Sequence, residues 1–304
     1  MQRFAQKKSK EQLRQSTIGF LFVLPAVVGF LFFIYRPLID TFILSFQKWN
    51  MISPTREFVG LQNYQEVFSS ATFYQSLQNT GFYALWLIIL IIALPLVLSY
   101  GLTKVGKKTS NVYRIVMFAP TIVSLGIASV IFVWIFNPIG GLIASLSELF
   151  GKTPLNWMSS IERAKIPVLV VVAWKSLGYN MVLLSAAIGA VPTEIKEAAE
   201  LDGAVGGKLW RYVILPLIAP TIVFVFIMTM SMAAEYVFTP IHVMTGGGPQ
   251  GVTTNIVFEI YRQAFLWFRI GMSSTYAIIV FVVFGILLAF QGFVTKKVVS
   301  YEER

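Results

Sequence analysis

Long apolar runs alternate with polar segments along most of the chain, and this pattern predicts membrane-spanning helices. Each run has at least about 18 residues, and at about 1.5 Å per residue such a helix crosses a hydrocarbon core of about 30 Å. The runs are Ile18–Tyr35, Gly81–Tyr100, Ile115–Phe136, Pro167–Ala190, Val213–Ala234 and Thr275–Val294. The sequence therefore predicts an all-α polytopic membrane protein with six transmembrane helices.

One polar and acidic segment, 191–216, is wedged between the fourth and fifth apolar runs. Pro192 and Thr193 are start signals for a helix, and the Thr193 hydroxyl is the expected cap of its first turn. Apolar residues then recur at helical spacing as far as Leu201, and Gly203 can adopt the left-handed conformation that ends a helix. The segment is predicted to form a short amphipathic helix-turn-helix on a membrane face, a shape suited to docking in a groove of another protein.

The composition supports a membrane protein and excludes several kinds of chemistry. Hydrophobic residues make up 56% of the chain and charged residues 12%, whereas soluble domains carry about 25% charged residues. The chain has no cysteine and one histidine, His242, so we expect no disulfide framework, no metal site and no catalytic residues. The sequence shows no paired nucleophile and base, and we expect that the protein is not an enzyme.

The net charge of +10 follows the membrane topology and does not indicate nucleic acid binding. Arginine and lysine cluster before the first apolar run, between the second and third, within 191–216 and after the last. The positive-inside rule then places both termini and segment 191–216 in the cytoplasm, next to anionic lipid. The predicted organisation is a cytoplasmic arm at 1–16, a membrane domain at 17–295 and a cytoplasmic tail at 296–304.

The segment from Gly101 to Lys108 is close to a phosphate-binding loop but lacks one required residue. Lys108 stands where the motif needs Ser or Thr, and the segment follows a membrane helix instead of a strand. We therefore expect no ATP site and no other cofactor in this chain, so any ATP must be bound by a partner subunit.

Segment 191–216 also resembles a known motif, the EAA loop of ABC importer permeases. The resemblance lies in the strings Glu197-Ala198-Ala199, Asp202-Gly203-Ala204 and Ile214-Leu215-Pro216, followed by Pro220. In that family the loop is a coupling helix that sits in a cleft of a cytoplasmic ATPase. The resemblance implies that the ATPase contact is carried by Glu197, Ala198, Ala199, Asp202, Gly203 and Ala204.

Two further regions resemble, in their residues and their order, the carbohydrate-type permeases of the maltose and glycerol-phosphate kind. The first is the outer loop with Val59-Gly60-Leu61, Asn63-Tyr64 and Asn79-Thr80, and the second contains Thr245–Pro249, Thr253-Thr254 and Tyr261–Phe265. On its residues alone, the first of these regions is also compatible with an interfacial helix that carries an aromatic belt.

The resemblance implies the type I importer permease architecture in a bacterial or archaeal cell membrane. The chain would form half of a pathway for a sugar or related polyol. The implied partners are a cytoplasmic ATPase dimer, a second homologous permease and an extracytoplasmic solute-binding protein. The alternative is an ATP-independent secondary carrier or channel, although the internal repeat typical of many such carriers is not visible.

Candidate pathway residues are polar and aromatic side chains within the fourth and fifth runs or directly after the fifth. They are Lys175, Tyr179, Asn180, Thr229, Glu235 and Tyr236. Hydroxyl, amide and aromatic groups suit polyhydroxylated ligands, although Tyr179 and Asn180 could equally bond between helices. Three roles stay open for Lys175: binding substrate, pairing with Glu235, or snorkelling to the interface.

Overall fold

Residues 18–299 are described by a computed structural model of the chain, with main chain alone at 231–233, 290, 291 and 293–299. The predicted arm at 1–16 and the last five residues of the tail lie outside these residues. The described residues form twelve helices and one two-stranded antiparallel ribbon. They are α1 (Ile18–Leu44), β1 (Gln47–Lys48), β2 (Glu57–Phe58), α2 (Gln62–Ser69), α3 (Ala71–Leu102), α4 (Lys107–Ile122), α5 (Leu125–Ile135), α6 (Leu142–Leu149), α7 (Lys165–Ala190), α8 (Thr193–Leu201), α9 (Gly207–Leu217), α10 (Ala219–Pro240), α11 (Ile256–Tyr261) and α12 (Ile270–Val299).

Within residues 18–299, four helices are long and apolar enough to cross a membrane: α1, α3, α7 and α12. Two further spans arise if each bent pair, α4 with α5 and α9 with α10, counts as one, which gives six. The predicted all-α, six-span fold is confirmed, with two of the spans built from bent helix pairs.

The third apolar run, predicted as one helix over Ile115–Phe136, is two helices that meet at an angle of 100°. Pro120 lies in a tight 3₁₀ turn that ends α4, and Val123 and Ser124 are extended. Proline has no N–H to donate to the preceding turn, which weakens the helix at this point. The Ser124 side chain then accepts a hydrogen bond from the amide of Ile127 and caps α5.

The fifth run is bent by 67° where α9 passes into α10. Ile218 leaves helical geometry, with φ of −95° and ψ of 2°, between Pro216 and Pro220. Pro220 cannot donate the hydrogen bond that would join it to the carbonyl of Pro216, four residues earlier. The two prolines therefore lie on either side of the bend in the fifth span.

The second span begins ten residues before the predicted Gly81, because polar residues extend α3 to Ala71. Ser76 and Asn79 are buried on this extension although they are polar. Burial is tolerated because both side chains donate hydrogen bonds to main-chain carbonyls.

One compact unit contains residues 18–67 and 263–278. Within it the Asn63 side chain is buried and donates to the carbonyls of Ser45, at 2.9 Å, and Gln47, at 3.0 Å. The Thr275 hydroxyl donates to the same Ser45 carbonyl at 3.1 Å. Asn63 thus ties α2 to the end of α1, a tertiary role beyond that of an interfacial aromatic belt.

The other unit contains residues 68–262 and 279–299. Its core is formed by α3, α5, α7 and α10, which together bury large apolar side chains such as Leu87, Phe132, Leu184 and Val237. Helix α7 runs for 26 residues without a break and contributes more than a third of its side chains to the buried set. It is therefore the central support of this unit.

Candidate functional site

Segment 191–216 folds as the predicted helix-turn-helix, formed by α8 and α9. Its link to α7 is only two residues long, because α7 ends at Ala190 and α8 begins at Thr193. Pro192 occupies the N-cap position with ψ of 139°, and no side chain caps the first turn. The expectation that the Thr193 hydroxyl caps α8 is wrong, because Thr193 is already the first helical residue.

Gly203 ends α8 in the left-handed conformation, with φ of +80°, as the sequence predicts. The amide of Ala204 donates to the carbonyl of Ala199 at 2.9 Å, and that of Gly203 to Glu200 at 3.0 Å. This pair of bonds is a Schellman motif, which satisfies the last carbonyls of the helix. A side chain on Gly203 would meet open space, so the backbone conformation alone is what requires glycine.

The predicted ATPase-contact residues lie on a largely exposed surface. Glu197, Ala198, Asp202 and Gly203 are exposed, whereas Ala199 and Ala204 are half-buried. Beside them Leu201 is 90% exposed and Val205 is 60% exposed. Two exposed apolar side chains therefore lie beside the predicted contact residues.

The opposite side of the segment is anchored to the same compact unit. Ile188 and Val191 pack with Ile214 and Ile218 in a small buried cluster. This cluster joins the last turn of α7, the two-residue link and α9, so the helix-turn-helix is attached to α7 by side-chain packing as well as by the chain.

A cavity of about 380 Å³ lies among α3, α4, α7 and α10. It brings together five of the six predicted pathway residues: Lys175, Tyr179, Asn180, Thr229 and Tyr236. Glu235 is not part of its lining and is exposed. The structure thus joins side chains from two separate apolar runs at one site and leaves Glu235 outside it.

Lys175 makes contacts that were not predicted from the sequence, where its expected roles were substrate binding, pairing with Glu235 or snorkelling. Its Nζ donates to the carbonyl oxygens of Thr121, at 3.0 Å, and Val123, at 2.5 Å. In return the Thr121 hydroxyl donates to the Lys175 carbonyl at 3.2 Å. Because the bend between α4 and α5 leaves carbonyls without helical partners, the ammonium acts as the cap of a broken helix.

Tyr179 and Asn180, about one helical turn after Lys175, have different surroundings. Asn180 is buried, and its Nδ2 donates to the carbonyl of Ile91 at 2.5 Å, in a π-helical turn of α3. Tyr179 is 53% exposed and lies along the cavity. Asn180 therefore bonds between helices while lining the cavity, and Tyr179 is the more accessible of the two. On the other wall, Thr229 is buried and Tyr236 is half-buried.

Gly178 allows α7 to approach α4 unusually closely. A Cβ atom at this position would lie 1.7 Å from the carbonyl oxygen of Met117 and 2.8 Å from the Cα of Phe118. Glycine at this position therefore allows a contact between the two backbones that any side chain would prevent. It brings the end of α4 within reach of the Lys175 ammonium, one turn away on the same face.

The sequence analysis did not predict the other lining residues, which include Thr121, Ser176, Phe224 and Met228. Thr121 directly follows Pro120, and Phe224 lies one helical turn after Pro220, so the two prolines that bend the spans were the available signal. No local pattern distinguishes Met228 from a lipid-facing residue.

Two of the motif regions that carried the family resemblance contact each other. Asn79 donates to the carbonyls of Gly251, at 3.2 Å, and Thr254, at 2.8 Å, and the Tyr83 hydroxyl donates to Thr253 at 3.1 Å. Gly247 has φ of +85°, and a side chain there would lie 2.6 Å from Thr254. The polar end of α3 therefore holds the glycine-rich loop in place.

Comparison with known proteins agrees with this architecture. Residues 96–300 match a family described as the inner membrane component of binding-protein-dependent transport systems. YurN of Bacillus subtilis (strain 168), a probable ABC transporter permease protein, is 33% identical over 271 residues, which cover 88% of this chain and 91% of that protein. UgpA of Agrobacterium fabrum, an sn-glycerol-3-phosphate transport system permease protein, is 29% identical over 284 residues, with 92% and 96% covered.

The fold is also found among solved structures. A chain from the crystal structure of a bacterial ABC transporter, involved in the import of the acidic polysaccharide alginate, matches with a TM-score of 0.85 and 20% identity. The match covers 95% of this chain and 99% of that chain, and at this identity it shows the fold. From the family match and the bacterial relatives, this chain belongs to the multi-pass inner-membrane permease components of binding-protein-dependent ABC transport systems.

Proposed function

We propose that this permease subunit forms half of the membrane pathway for a sugar or a related polyol. The observation that carries the proposal is the cavity of about 380 Å³, whose lining combines hydroxyl, phenol and amide groups with apolar surface. Ligand cavities of about 300–1,000 Å³ commonly have this mixed chemistry. Two of the similar proteins, by their names, move sn-glycerol-3-phosphate and alginate, both of which carry more than one hydroxyl group.

In this proposal an extracytoplasmic solute-binding protein delivers the ligand, and a second homologous permease completes the pathway. A cytoplasmic ATPase dimer binds the ATP and drives transport. The exposed surface of α8 supports the ATPase contact, since Leu201 and Val205 are apolar and uncovered beside Glu197, Ala198 and Asp202. The distribution of basic residues supports a cytoplasmic position for this surface and for both termini.

The test is uptake of radiolabelled candidate sugars by proteoliposomes that contain this chain with its partner subunits. We expect uptake that requires both ATP inside and the solute-binding protein outside. Uptake of the same ligand by this chain alone, without ATP, would establish the secondary carrier in place of the importer.

The Gly203→Leu variant tests the coupling role of α8. At φ of +80° a leucine is disfavoured by about 1 kcal/mol or more, so the end of α8 changes shape. We expect the variant to insert normally while ATP hydrolysis and uptake become uncoupled.

Gly151→Leu is the matched control for this variant. Gly151 also has positive φ, +67°, and also has open space around its Cα, but it lies after α6 and outside segment 191–216. It carries the same backbone penalty and should leave coupling unchanged. Normal ATP-driven uptake by Gly203→Leu would refute the coupling role.

A further inference from the structure

The cavity carries one fixed positive charge and no negative one. Among the described residues that line it, Lys175 is the single basic residue, and none is aspartate or glutamate. The nearest acidic residue along α10 is Glu235, which is exposed and not part of the lining. A charged group in a partly buried site without a counterion attracts ligands of the opposite sign.

The contacts of Lys175 hold its charge at the cavity wall. Its Nζ is bound by the carbonyl oxygens of Thr121 and Val123, which keep the ammonium at the bend between α4 and α5. A lysine ammonium has three N–H donors, and these two bonds use two of them. The third remains for a ligand. The carbonyls are neutral acceptors, so they orient the ammonium without cancelling its formal charge.

We propose that Lys175 makes this cavity selective for hydroxyl-rich ligands that also carry an anionic group, a carboxylate or a phosphate. This inference rests on the proposed function and narrows its substrate class from sugars in general to acidic sugars or sugar phosphates. The ammonium would donate its third hydrogen bond to the anion, and a charge-assisted bond of this kind is about twice as strong as a neutral one. Hydroxyl groups on the ligand would face the phenol and hydroxyl side chains of the lining, such as Tyr179 and Thr229.

The absence of cysteine from the chain allows the charge of the cavity to be measured directly. A single cysteine is introduced as Tyr179→Cys, one helical turn from Lys175 and on the same face. Its reaction rates are measured with two methanethiosulfonate reagents, one bearing a sulfonate and one a trimethylammonium group. The assembled transporter in membranes is used, and labelling of this chain is read by mass spectrometry.

We expect the anionic reagent to react faster, relative to a cysteine on an exposed helix, when Lys175 is present. A unit charge about 8 Å away, in water, changes the ratio of the two rates about fivefold, and a lower dielectric constant enlarges the change. Leu149→Cys in α6 provides the exposed reference, since Leu149 is 80% exposed and is not part of the cavity lining.

Two substitutions separate the charge of Lys175 from its capping role. Lys175→Gln keeps a hydrogen-bond donor for the carbonyls and removes the charge, whereas Lys175→Arg keeps both. The rate ratio should fall about fivefold in the first and stay near the wild-type value in the second. Met228→Cys, on the other wall, repeats the measurement should Tyr179→Cys fail to fold. A ratio unchanged by Lys175→Gln at both cysteines would overturn the proposal.

Protection of the cysteine by ligands tests the substrate class itself. Glucuronate and glycerol 3-phosphate should slow labelling more than glucose and glycerol, and Lys175→Gln should abolish the difference. The stronger of the two anions identifies whether carboxylate or phosphate is preferred, whereas equal protection by the neutral compounds would refute anion selectivity. Labelling needs neither ATP nor transport, so this result is independent of the uptake test.

Discussion

Replacing Gly178 with alanine should destabilise the contact between α7 and α4. The added Cβ would lie 1.7 Å from the carbonyl oxygen of Met117 and 2.4 Å from its carbonyl carbon. Since ordinary contacts begin near 3.4 Å, the two helices must separate by about 1.7 Å, and backbone atoms cannot rotate away as a flexible side chain can. The bonds from Lys175 to Thr121 and Val123, one turn away, would then be stretched or broken.

The change in the free energy of unfolding combines two destabilising terms, overpacking and lost hydrogen bonds, with one stabilising term, helix propensity. Overpacking costs about 1–3 kcal/mol, and hydrogen bonds from a charged group contribute about 1.5–3 kcal/mol. Alanine regains about 1 kcal/mol of helix propensity relative to glycine. The net destabilisation is about 1.5–5 kcal/mol, and the bend between α4 and α5 should loosen.

Gly189→Ala is the matched control, because Gly189 lies in the same helix and a Cβ there meets nothing within 4 Å. It should be neutral or stabilising by up to about 1 kcal/mol. Both variants are compared by thermal unfolding of the purified protein in one detergent at one scan rate. If Gly178→Ala unfolds at the same temperature as Gly189→Ala, the close approach of α7 to α4 is not required for stability.

Two further predictions concern the cavity and the glycine-rich loop. Tyr179→Ala should lower ATP-driven uptake while the ATPase still responds to the loaded solute-binding protein, because Tyr179 lines the cavity and is half exposed; unchanged uptake would make it structural. Asn79→Ala should cost about 1–3 kcal/mol, since it leaves buried carbonyls of the loop without a donor. Hydrogen exchange across 250–256 should rise in that variant and not in Gln78→Ala, an exposed neighbour; equal exchange would contradict the role of Asn79.

The features that could be predicted from sequence are those encoded by neighbouring residues. Apolar runs located all six spans, and the conformation of Gly203 followed from its place at the end of a periodic helix. The 100° bend after Ile122 could not be located this way, because the residues on both sides of it remain apolar. Its freed carbonyls are bound by Lys175, more than fifty residues later in the chain, and no local pattern reports such a contact.

In the candidate cavity too, some features could be predicted from neighbouring residues, whereas others depend on how distant helices pack. Polar and aromatic side chains inside or directly after the apolar runs identified five lining residues, because polar groups in membrane spans are costly and are commonly functional. Glu235 met that criterion equally well but lies outside the lining, since the sequence fixes its depth and not the face of α10 on which it lies. The partners of Asn79 and Asn180 are likewise set by how separate helices pack.

The unbroken length of α7 gives it the mechanics of a lever. Its 26 residues span about 39 Å, and only two residues separate its end from α8. A tilt of about 5° around the Lys165 end would move the Ala190 end by about 3 Å, but would move Lys175, about 15 Å from that pivot, by little more than 1 Å. A displacement of several ångströms at the exposed surface of α8 therefore reaches the cavity reduced to about two fifths, small enough to adjust hydrogen bonds there without breaking the core.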